Sequence, residues 1–321
     1  MASTPRAPFA HPGAARETFA RLLKIPRAAP TVRVASRHVR EEDGLIVEDV
    51  TWPSLDGEMP TALVVSPTDR DGPLPAIICL HGTGGSRESV CAPAFSRGEW
   101  TPHGGCAPHV TLLGWGRELA RRGYVVLALT QRGLDARTPD TNDQAKNLLV
   151  RGRTLMGAIV HEIRQAVTYL RSRPDVDSAR IGMTGISFGG ITSFYTWLVD
   201  ERIAAAASIC GGVGSVDVLL RRGTPAYHGF YWWIPNLLTR GDQGDFAAAH
   251  APRPVMLWAP RSDIGMPDEG VDRFLEVVQP AYAKVAAAES ALVVHRPPGE
   301  HDFSPEAFAA LQAFFDTHLK S

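Results

Sequence analysis

The sequence predicts an α/β protein with a mostly parallel β-sheet and helices on both faces. From residue 74 onward, short apolar runs alternate with helical patterns, which is typical of parallel strands joined by crossover helices. The runs at 74–80 and 124–129 are almost continuously apolar, as strands buried on both faces are. Polar motifs directly follow several of these runs, at the strand ends where sites form in open parallel sheets.

The N-terminal part of the chain precedes this alternation. Residues 1–30 are predicted to form an extension with a short helix at 14–25, ended by a proline. Residues 31–66 contain strand-like pieces separated by turn signals such as Asp43-Gly44, which predicts an antiparallel edge to the sheet. Residues 31–321 are expected to form one domain.

Two inserts interrupt the later elements: a long loop at 86–110 and an irregular, aromatic-rich segment at 213–250. Residues 131–142 are predicted to be a loop, and Pro280 is expected to break or kink the helix that contains it. Beyond residue 110, the predicted strands lie at 124–129, 179–183, 203–210, 253–259 and 291–295. The predicted helices lie at 111–122, 152–172, 189–199, 268–288 and 305–319.

The central motif is GISFG at 185–189, a G-x-S-x-G pattern. An apolar run precedes it and a helical pattern without proline follows it, so that Ser187 is predicted to lie on a sharp strand-to-helix turn. The flanking glycines allow the backbone to pack this tightly. Ser187 is therefore the predicted nucleophile, next to amide groups at a helix N-terminus, where negative charge is favoured.

A serine nucleophile needs a base. We predict His301 for this role, because it lies in the loop between the last predicted strand and the final helix. The alternative is a histidine of a surface loop. Two other histidines are weaker candidates, since His295 lies inside a strand and His318 lies near a helix C-terminus, where a cation is favoured for structural reasons.

The base in turn needs a group that fixes its tautomer and stabilises the imidazolium. Asp263 follows the predicted strand at 253–259 after a short turn and is our candidate. A solvated turn aspartate is the alternative interpretation. Asp268 and Glu269 are the fallback candidates, although both occupy the first turn of a predicted helix, where acidic residues have a structural role.

The glycine-rich loop HGTGG at 81–85 follows a predicted strand and is expected to contribute to an oxyanion hole. The predicted donors are the backbone N–H groups of Phe188 and Thr83, with Gly84 as the next candidate, and each donor contributes about 3–4 kcal/mol at best. His81 is expected to hold this loop by a hydrogen bond. A phosphate-binding loop is the alternative, but the G-x-x-x-x-G-K-[ST] pattern is absent from the sequence.

Both inserts are expected to lie near the site. The 86–110 segment supplies soft donor atoms but lacks a C-x₂₋₄-C pair, so no metal is predicted; its donors are Cys91, His103, Cys106 and His109. Aromatic residues of the second insert are candidates for the substrate pocket, with core packing as the alternative; they are Tyr227, Phe230, Tyr231, Trp232 and Trp233. Arg221 and Arg222 either attract an acidic substrate or form a solvated helix end.

Composition excludes several function classes. The 321 residues carry a formal net charge of −1, which favours neither nucleic acid nor an anionic membrane surface. The sequence contains neither an apolar run of about 18 residues nor an apolar signal core, so a cytoplasmic protein without a membrane span is expected. Four cysteines are too few for a disulfide scaffold, and reduced thiols are expected although Cys91 and Cys106 could pair. The oligomeric state is not predicted.

Together these motifs resemble the α/β-hydrolase superfamily, through HGTGG, GISFGG, Asp263 and GEHDF at 299–303. Within it, the chain is most similar to dienelactone-hydrolase-like and acetyl-xylan-esterase-like hydrolases, through its segments 150–157, 174–181 and 231–245. The resemblance covers about 45–319. It implies a mostly parallel sheet of about eight strands, a triad, and no cofactor; by motif, the triad is Ser187, Asp263 and His301.

One departure limits what this resemblance implies. Dienelactone hydrolases proper use a cysteine nucleophile, and Ser187 occupies that position here. We therefore expect a serine hydrolase that cleaves small-molecule carboxylic esters, with a preference for short acyl groups such as acetyl, rather than a lactonase. The alternatives are an amidase or peptidase with the same triad and a ligand-binding protein without catalysis. The rates for matched ester and amide substrates would separate an esterase from an amidase or peptidase. Binding without product would identify a ligand-binding protein.

Overall fold

The computed structural model describes residues 9–26, 28–100, 109–134, 137, 141–285 and 290–320. The strands are, in chain order, β1 (Ser36–Glu42), β2 (Leu45–Thr51), β3 (Thr61–Pro67), β4 (Leu74–Leu80), β5 (Ser96–Trp100), β6 (His109–Leu113), β7 (Val125–Leu129), β8 (Val176–Ile186), β9 (Ala205–Ile209), β10 (Val255–Trp258) and β11 (Leu292–His295). Across the described residues, nine of them form one sheet in the order β1-β2-β3-β7-β4-β8-β9-β10-β11.

The direction of the strands divides this sheet into two parts. The pairs β1–β2, β2–β3 and β3–β7 are antiparallel, and the pairs from β7 to β11 are parallel. The predicted fold class and the antiparallel edge are thus confirmed, with one strand more than the expected eight in the described sheet. Asp43 and Gly44 have φ values of 52° and 73°, the left-handed conformation that a tight hairpin between β1 and β2 requires.

The α-helices lie between and around these strands. They are α1 (Pro12–Leu23), α2 (Arg87–Val90), α3 (Trp115–Arg121), α4 (Thr141–Leu149), α5 (Leu155–Arg171), α6 (Phe188–Val199), α7 (Val216–Arg222), α8 (Leu237–Arg240), α9 (Gln243–Ala248), α10 (Asp268–Ala283) and α11 (Pro305–Leu319). Among the residues that the structure describes, no helix is long and apolar enough to cross a membrane. The helix α11 has the predicted bounds, and the Ser304 side chain caps it by accepting from the Ala307 N–H.

Two hydrophobic clusters cover the opposite faces of the sheet. Successive strand residues point to opposite faces. Ile78 of β4 accordingly packs in a cluster with residues of α1, α5 and α6, and its neighbour Ile77 packs in the other cluster with residues of α3 and α11. The central strands of the sheet are therefore buried on both sides, as their apolar sequences predict, whereas the edge strand β1 is mostly exposed.

Three predicted elements differ from the structure: the loop at 86–110, which contains α2 and β5, the helix at 111–122 and the loop at 131–142. Residues 109–113 form strand β6 instead of the start of a helix, because Val110 and Thr111 are β-branched and the segment pairs with β5. The helix α3 begins only after Gly114, whose φ is 71°. Helix α4 at 141–149 was not predicted, and it includes the last two residues of the predicted loop; its apolar signal is weak, since only Ala145 and Leu148 of this helix are buried.

The insert at 213–250 is also more regular than predicted. It contains α7, α8, α9 and two single 3₁₀ turns, which are too short to show a periodic apolar pattern. Polar side chains define these short helices: Ser215 caps α7, and Asp242 accepts from the N–H groups of Val216 and Gln243 at 2.9 and 2.8 Å. The helix α10 continues past Pro280 to Ala283, so the proline does not break it.

The N-terminal helix α1 packs into the main core rather than lying outside it. Its Phe19 is fully buried, with ring centroids 5.0 Å from Tyr195 and 4.9 Å from Phe246. The end of α1 is held by the Thr154 hydroxyl, which donates to the Leu23 carbonyl at 2.8 Å. The predicted extension is thus anchored to helix α5.

A glycine at the α1–α5 contact provides a test of this packing. A Cβ atom added at Gly157 would lie 1.8 Å from the Leu23 carbonyl oxygen. We expect Gly157→Ala to lower the free energy of unfolding by about 1–3 kcal/mol, because the two backbones must separate. Denaturant unfolding checks this, with the helical Gly244→Ala as control, where the nearest atom would be 3.4 Å away. Equal stability of the two variants would contradict the close approach.

Candidate active site

Ser187 occupies a strained turn between β8 and α6. Its φ of 55° and ψ of −116° lie outside the regions that L-residues prefer, at a cost of order 1–3 kcal/mol. Close backbone contacts enforce this turn. A Cβ atom at Gly185 would lie 2.4 Å from the Gly189 carbonyl carbon, and one at Gly189 would lie 2.2 Å from the Leu80 carbonyl oxygen. Glycine is therefore required on both sides of the serine.

The loop at 81–85 follows β4, which pairs with β8, and so lies beside Ser187. The loop is held by Gln131, whose backbone N–H donates to His81 Nε2 at 3.2 Å and whose side-chain amide donates to the His81 carbonyl at 2.7 Å. The Thr192 hydroxyl donates to Gln131 Oε1 at 2.7 Å. His81 therefore has the structural role that the sequence predicts for it.

His301 and Asp263 are joined by a hydrogen bond. The distance between His301 Nδ1 and Asp263 Oδ1 is 2.7 Å, and both residues are buried. The same carboxylate oxygen accepts from the Gly265 N–H at 2.7 Å. With Nδ1–H directed at the carboxylate, Nε2 is the nitrogen that can accept a proton. Asp263 follows β10 and His301 follows β11, so both lie at carboxyl ends of parallel strands, as Ser187 does.

Two cavities meet at Ser187 and His301. The larger has a volume of about 250 Å³ and is bordered by residues of α4, α6 and the 213–250 insert. The smaller has a volume of about 130 Å³ and is bordered by the 81–85 loop, β6 and Trp115. Thr83, Ser187 and His301 line both cavities. A substrate bound across this junction would reach the serine and the histidine at once.

The structure corrects the predicted pocket residues in part. Tyr227, Tyr231 and Trp232 line the larger cavity. Phe230 is 49% exposed, and Trp233 packs on the Trp232 ring at 4.9 Å between centroids, so neither of them lines it. The cause is the 3₁₀ turn at Phe230–Trp232, in which successive side chains diverge.

The insert contacts both segments that are predicted to form an oxyanion hole. The Tyr231 hydroxyl lies 3.3 Å from Thr83 Oγ1. The Tyr231 ring meets the Phe188 ring edge to face, with centroids 4.7 Å apart. One aromatic residue thus bridges the 81–85 loop and the first residue of α6.

Two residues that the sequence analysis did not assign to the site lie beside Ser187, Asp263 and His301. His228 Nε2 lies 2.7 Å from the Gly265 carbonyl, and its ring stacks on Trp232 at 4.3 Å. Burial lowers the pKa of His228 to about 4, so the neutral ring donates this hydrogen bond at pH 7. Cys210 directly follows β9 and lines the larger cavity, with a φ of 48°. Its position at the end of a predicted strand was the signal that could have identified it.

As far as the structure describes the chain, the arginine pair at 221–222 and the candidate metal or disulfide donors of the first insert have no observed role at this site. Arg221 pairs with Asp217 and Arg222 with Glu269, which supports the solvated helix end over an anion-binding role. Cys91 is a buried free thiol in the described part of the chain. His103 and Cys106, which the metal and disulfide alternatives require, lie outside the described residues.

Comparisons with known proteins agree with this architecture. The family model described as "Dienelactone hydrolase family" matches residues 111–227, a segment that contains the turn at Ser187. A curated relative, "Putative hydrolase YtaP" of Bacillus subtilis (strain 168), is 28% identical over 288 residues, which are 89% of this chain and 93% of the relative.

Solved structures of esterases share the fold. The acetyl xylan esterase of Paenibacillus sp. R4 superposes with a TM-score of 0.65 at 18% identity, covering 95% of this chain and 93% of that one. The glucuronoyl esterase of Solibacter usitatus superposes with a TM-score of 0.67 at 15% identity, covering 94% of this chain and 92% of that one. The α/β-hydrolase fold, the predicted resemblance and the enzyme class of hydrolase are confirmed.

The buried histidines predict how stability depends on pH. The pKa values of His161, His228 and His250 are all lowered from 6.5 to about 4 by burial. The unfolded chain therefore binds more protons than the folded chain between pH 6.5 and 4, and the free energy of unfolding falls as the pH falls through this window, by at most about 1.4 kcal/mol per unit for each group.

His228→Gln keeps a donor for the Gly265 carbonyl and removes one of these three titrations. We expect the variant to lose about a third of the histidine-dependent slope, measured by denaturant unfolding at a series of pH values. His250→Gln is the matched variant away from the site. A wild-type slope retained in both variants would show that these imidazoles are not held neutral.

Proposed function

We propose that this protein, which has the α/β-hydrolase fold, is a serine esterase that cleaves small-molecule carboxylic esters through an acyl-enzyme. Ser187 is the nucleophile, His301 the general base and Asp263 the group that orients the histidine. The observation that carries the proposal is the buried hydrogen bond of 2.7 Å between His301 Nδ1 and Asp263 Oδ1, beside a serine on a strained turn. Ser187 and His301 border the same two cavities.

In the first half of the reaction, Ser187 Oγ attacks the acyl carbon while His301 Nε2 takes the hydroxyl proton. The Asp263 carboxylate stabilises the imidazolium that forms. The tetrahedral intermediate then collapses: the bond to the alcohol oxygen breaks, and His301 gives its proton to that oxygen. The products of this half are the acyl-enzyme and the free alcohol.

In the second half, water attacks the acyl carbon and His301 takes one of its protons. Collapse of the second intermediate breaks the bond between Ser187 Oγ and the acyl carbon, and the proton returns to the serine. The acid product leaves and the enzyme is restored. Each proton is accounted for by His301, so these steps call for no cofactor.

The oxyanion of both intermediates needs donors that are already in place. Phe188 N–H at the start of α6 and Thr83 N–H, or that of Gly84, are the proposed donors. Two features support them. The His81–Gln131 hydrogen bonds fix the 81–85 loop, and Tyr231 contacts both Thr83 and Phe188. Donors that are held in this way require little reorganisation when the negative charge develops.

The two cavities offer separate places for the two halves of an ester. Aliphatic side chains line the smaller one, which has room for a few carbon atoms at about 130 Å³; they are Val90, Leu112, Leu113 and Ile186. The larger one presents hydroxyl groups and aromatic faces. We assign the acyl group to the smaller cavity and the alcohol to the larger. The esterase names of the structural neighbours support an ester over an amide.

Loss of the nucleophile gives the first test of the proposal. We expect Ser187→Ala to lower kcat for a short-chain ester by roughly a thousandfold or more, because the acyl-enzyme can no longer form. Ser193→Ala, a change at a buried serine of the same helix, is the control and should keep most of the activity. Ester hydrolysis that persists in the folded Ser187→Ala variant would refute the proposed nucleophile.

The size of the smaller cavity gives a second test. Among 4-nitrophenyl esters, kcat/KM should be highest for the acetyl or propionyl ester and should fall as the acyl chain lengthens. Leu112→Ala enlarges this cavity and should shift the preference toward longer chains. Leu119→Ala removes a buried leucine that lines neither cavity and controls for lost stability. An unchanged profile in Leu112→Ala would place the acyl group elsewhere.

A further inference from the structure

A second chemical feature overlaps the proposed triad. Cys210 Sγ, a carboxylate oxygen of Asp263 and a ring nitrogen of His301 all lie within 4.8 Å of one another. All three residues are buried, at 2%, 7% and 3% exposure. A thiol, a carboxylate and an imidazole therefore converge on one small volume.

The sheet itself produces this convergence. Cys210, Asp263 and His301 follow β9, β10 and β11, which are neighbouring parallel strands whose carboxyl ends lie at one edge. The Cys210 N–H donates to the Trp258 carbonyl at 2.8 Å, which fixes the thiol-bearing backbone against β10. Cys210 and His301 both line the larger cavity, and Cys210 and Asp263 line a third, smaller one.

The donor set matches one class of ion. Sulfur, imidazole nitrogen and carboxylate oxygen are the ligands of Zn²⁺, whereas Mg²⁺ and Ca²⁺ prefer oxygen alone. Around a tetrahedral zinc ion, ligand atoms lie about 3.4–3.6 Å apart, so the three side chains would need to shift by about 1 Å. Three protein ligands leave one position of a tetrahedral ion for a water molecule.

We propose that Zn²⁺ binds reversibly to Cys210, Asp263 and His301 and inhibits the enzyme. The ion is an inhibitor and not a cofactor, because its site uses the groups that the esterase mechanism needs. The inhibition rests on the proposed function, whereas the binding site rests on the geometry alone. Zn²⁺ would take the place of the proton in the hydrogen bond between His301 and Asp263.

The proton balance explains the inhibition. The Zn–S bond forms as the Cys210 thiol gives its proton to solvent. The Zn–N bond forms at Nδ1 of His301, whose proton leaves while Nε2 gains one, so that the imidazole stays neutral. One proton is released for each ion bound. A protonated Nε2 cannot accept the Ser187 proton, and the Asp263 carboxylate is occupied by the metal.

The test begins with Zn²⁺ inhibition of ester hydrolysis after treatment with EDTA. We expect inhibition of the wild type that EDTA reverses, and an inhibition constant at least about tenfold weaker in Cys210→Ala and Cys210→Ser, each compared with its own uninhibited rate. Cys91→Ala removes another buried free thiol and should keep the wild-type constant. Equal inhibition of the Cys210 variants and the wild type would overturn the proposal.

Binding of Co²⁺ gives a readout that needs no turnover. A thiolate ligand produces a charge-transfer band in the near ultraviolet, which we expect in the wild type and in Cys91→Ala and not in the Cys210 variants. Absence of the band from the wild type, or its persistence in folded Cys210 variants, would overturn the site. If the wild type hydrolysed no ester, the esterase proposal would fail, but the band would still show whether the metal binds to Cys210.

Discussion

The close approach of β4, β8 and α6 is the constraint on which the rest of this structure depends. The chain passes from strand to helix within a single residue, and only glycine at 185 and 189 leaves room for the Leu80 carbonyl. Ser187 takes the strained conformation at the centre of this contact. Because β4 is held so close, the loop that follows it lies beside the serine. The same contact thus positions the proposed nucleophile and the proposed oxyanion donors.

The 213–250 insert connects the remaining groups to this centre. His228 binds the Gly265 carbonyl, and the Gly265 N–H binds Asp263, which holds His301. At its other end, Tyr231 reaches Thr83 and Phe188. The insert therefore links the Asp263–His301 pair to the loop at 81–85, and it also forms a wall of the larger cavity. A change in its packing would alter the orientation of the histidine and the shape of the pocket together.

The strand-end residues could be predicted from the sequence because each follows an apolar run that periodicity detects. Ser187, Asp263 and His301 belong to this class, and the structure brings the last two into contact. His228 and helix α4 could not be found in this way, since His228 follows a single 3₁₀ turn and α4 buries only two apolar residues. The strand β6 was mistaken for the start of a helix because its partner strand β5 lies in a segment that was predicted to be a loop. Phe230 was wrongly predicted to line the pocket, because local composition does not indicate the direction of a side chain in a 3₁₀ turn.

The central claim is that Ser187 is activated by His301, and reaction with a fluorophosphonate tests it most directly. Intact mass and peptide mapping would be recorded for the wild type and for His301→Ala after the fold of each is verified. We predict a single adduct on Ser187 in the wild type that is lost or strongly slowed in the variant. A folded wild type without an adduct on Ser187, or equally fast labelling of both proteins, would contradict the account.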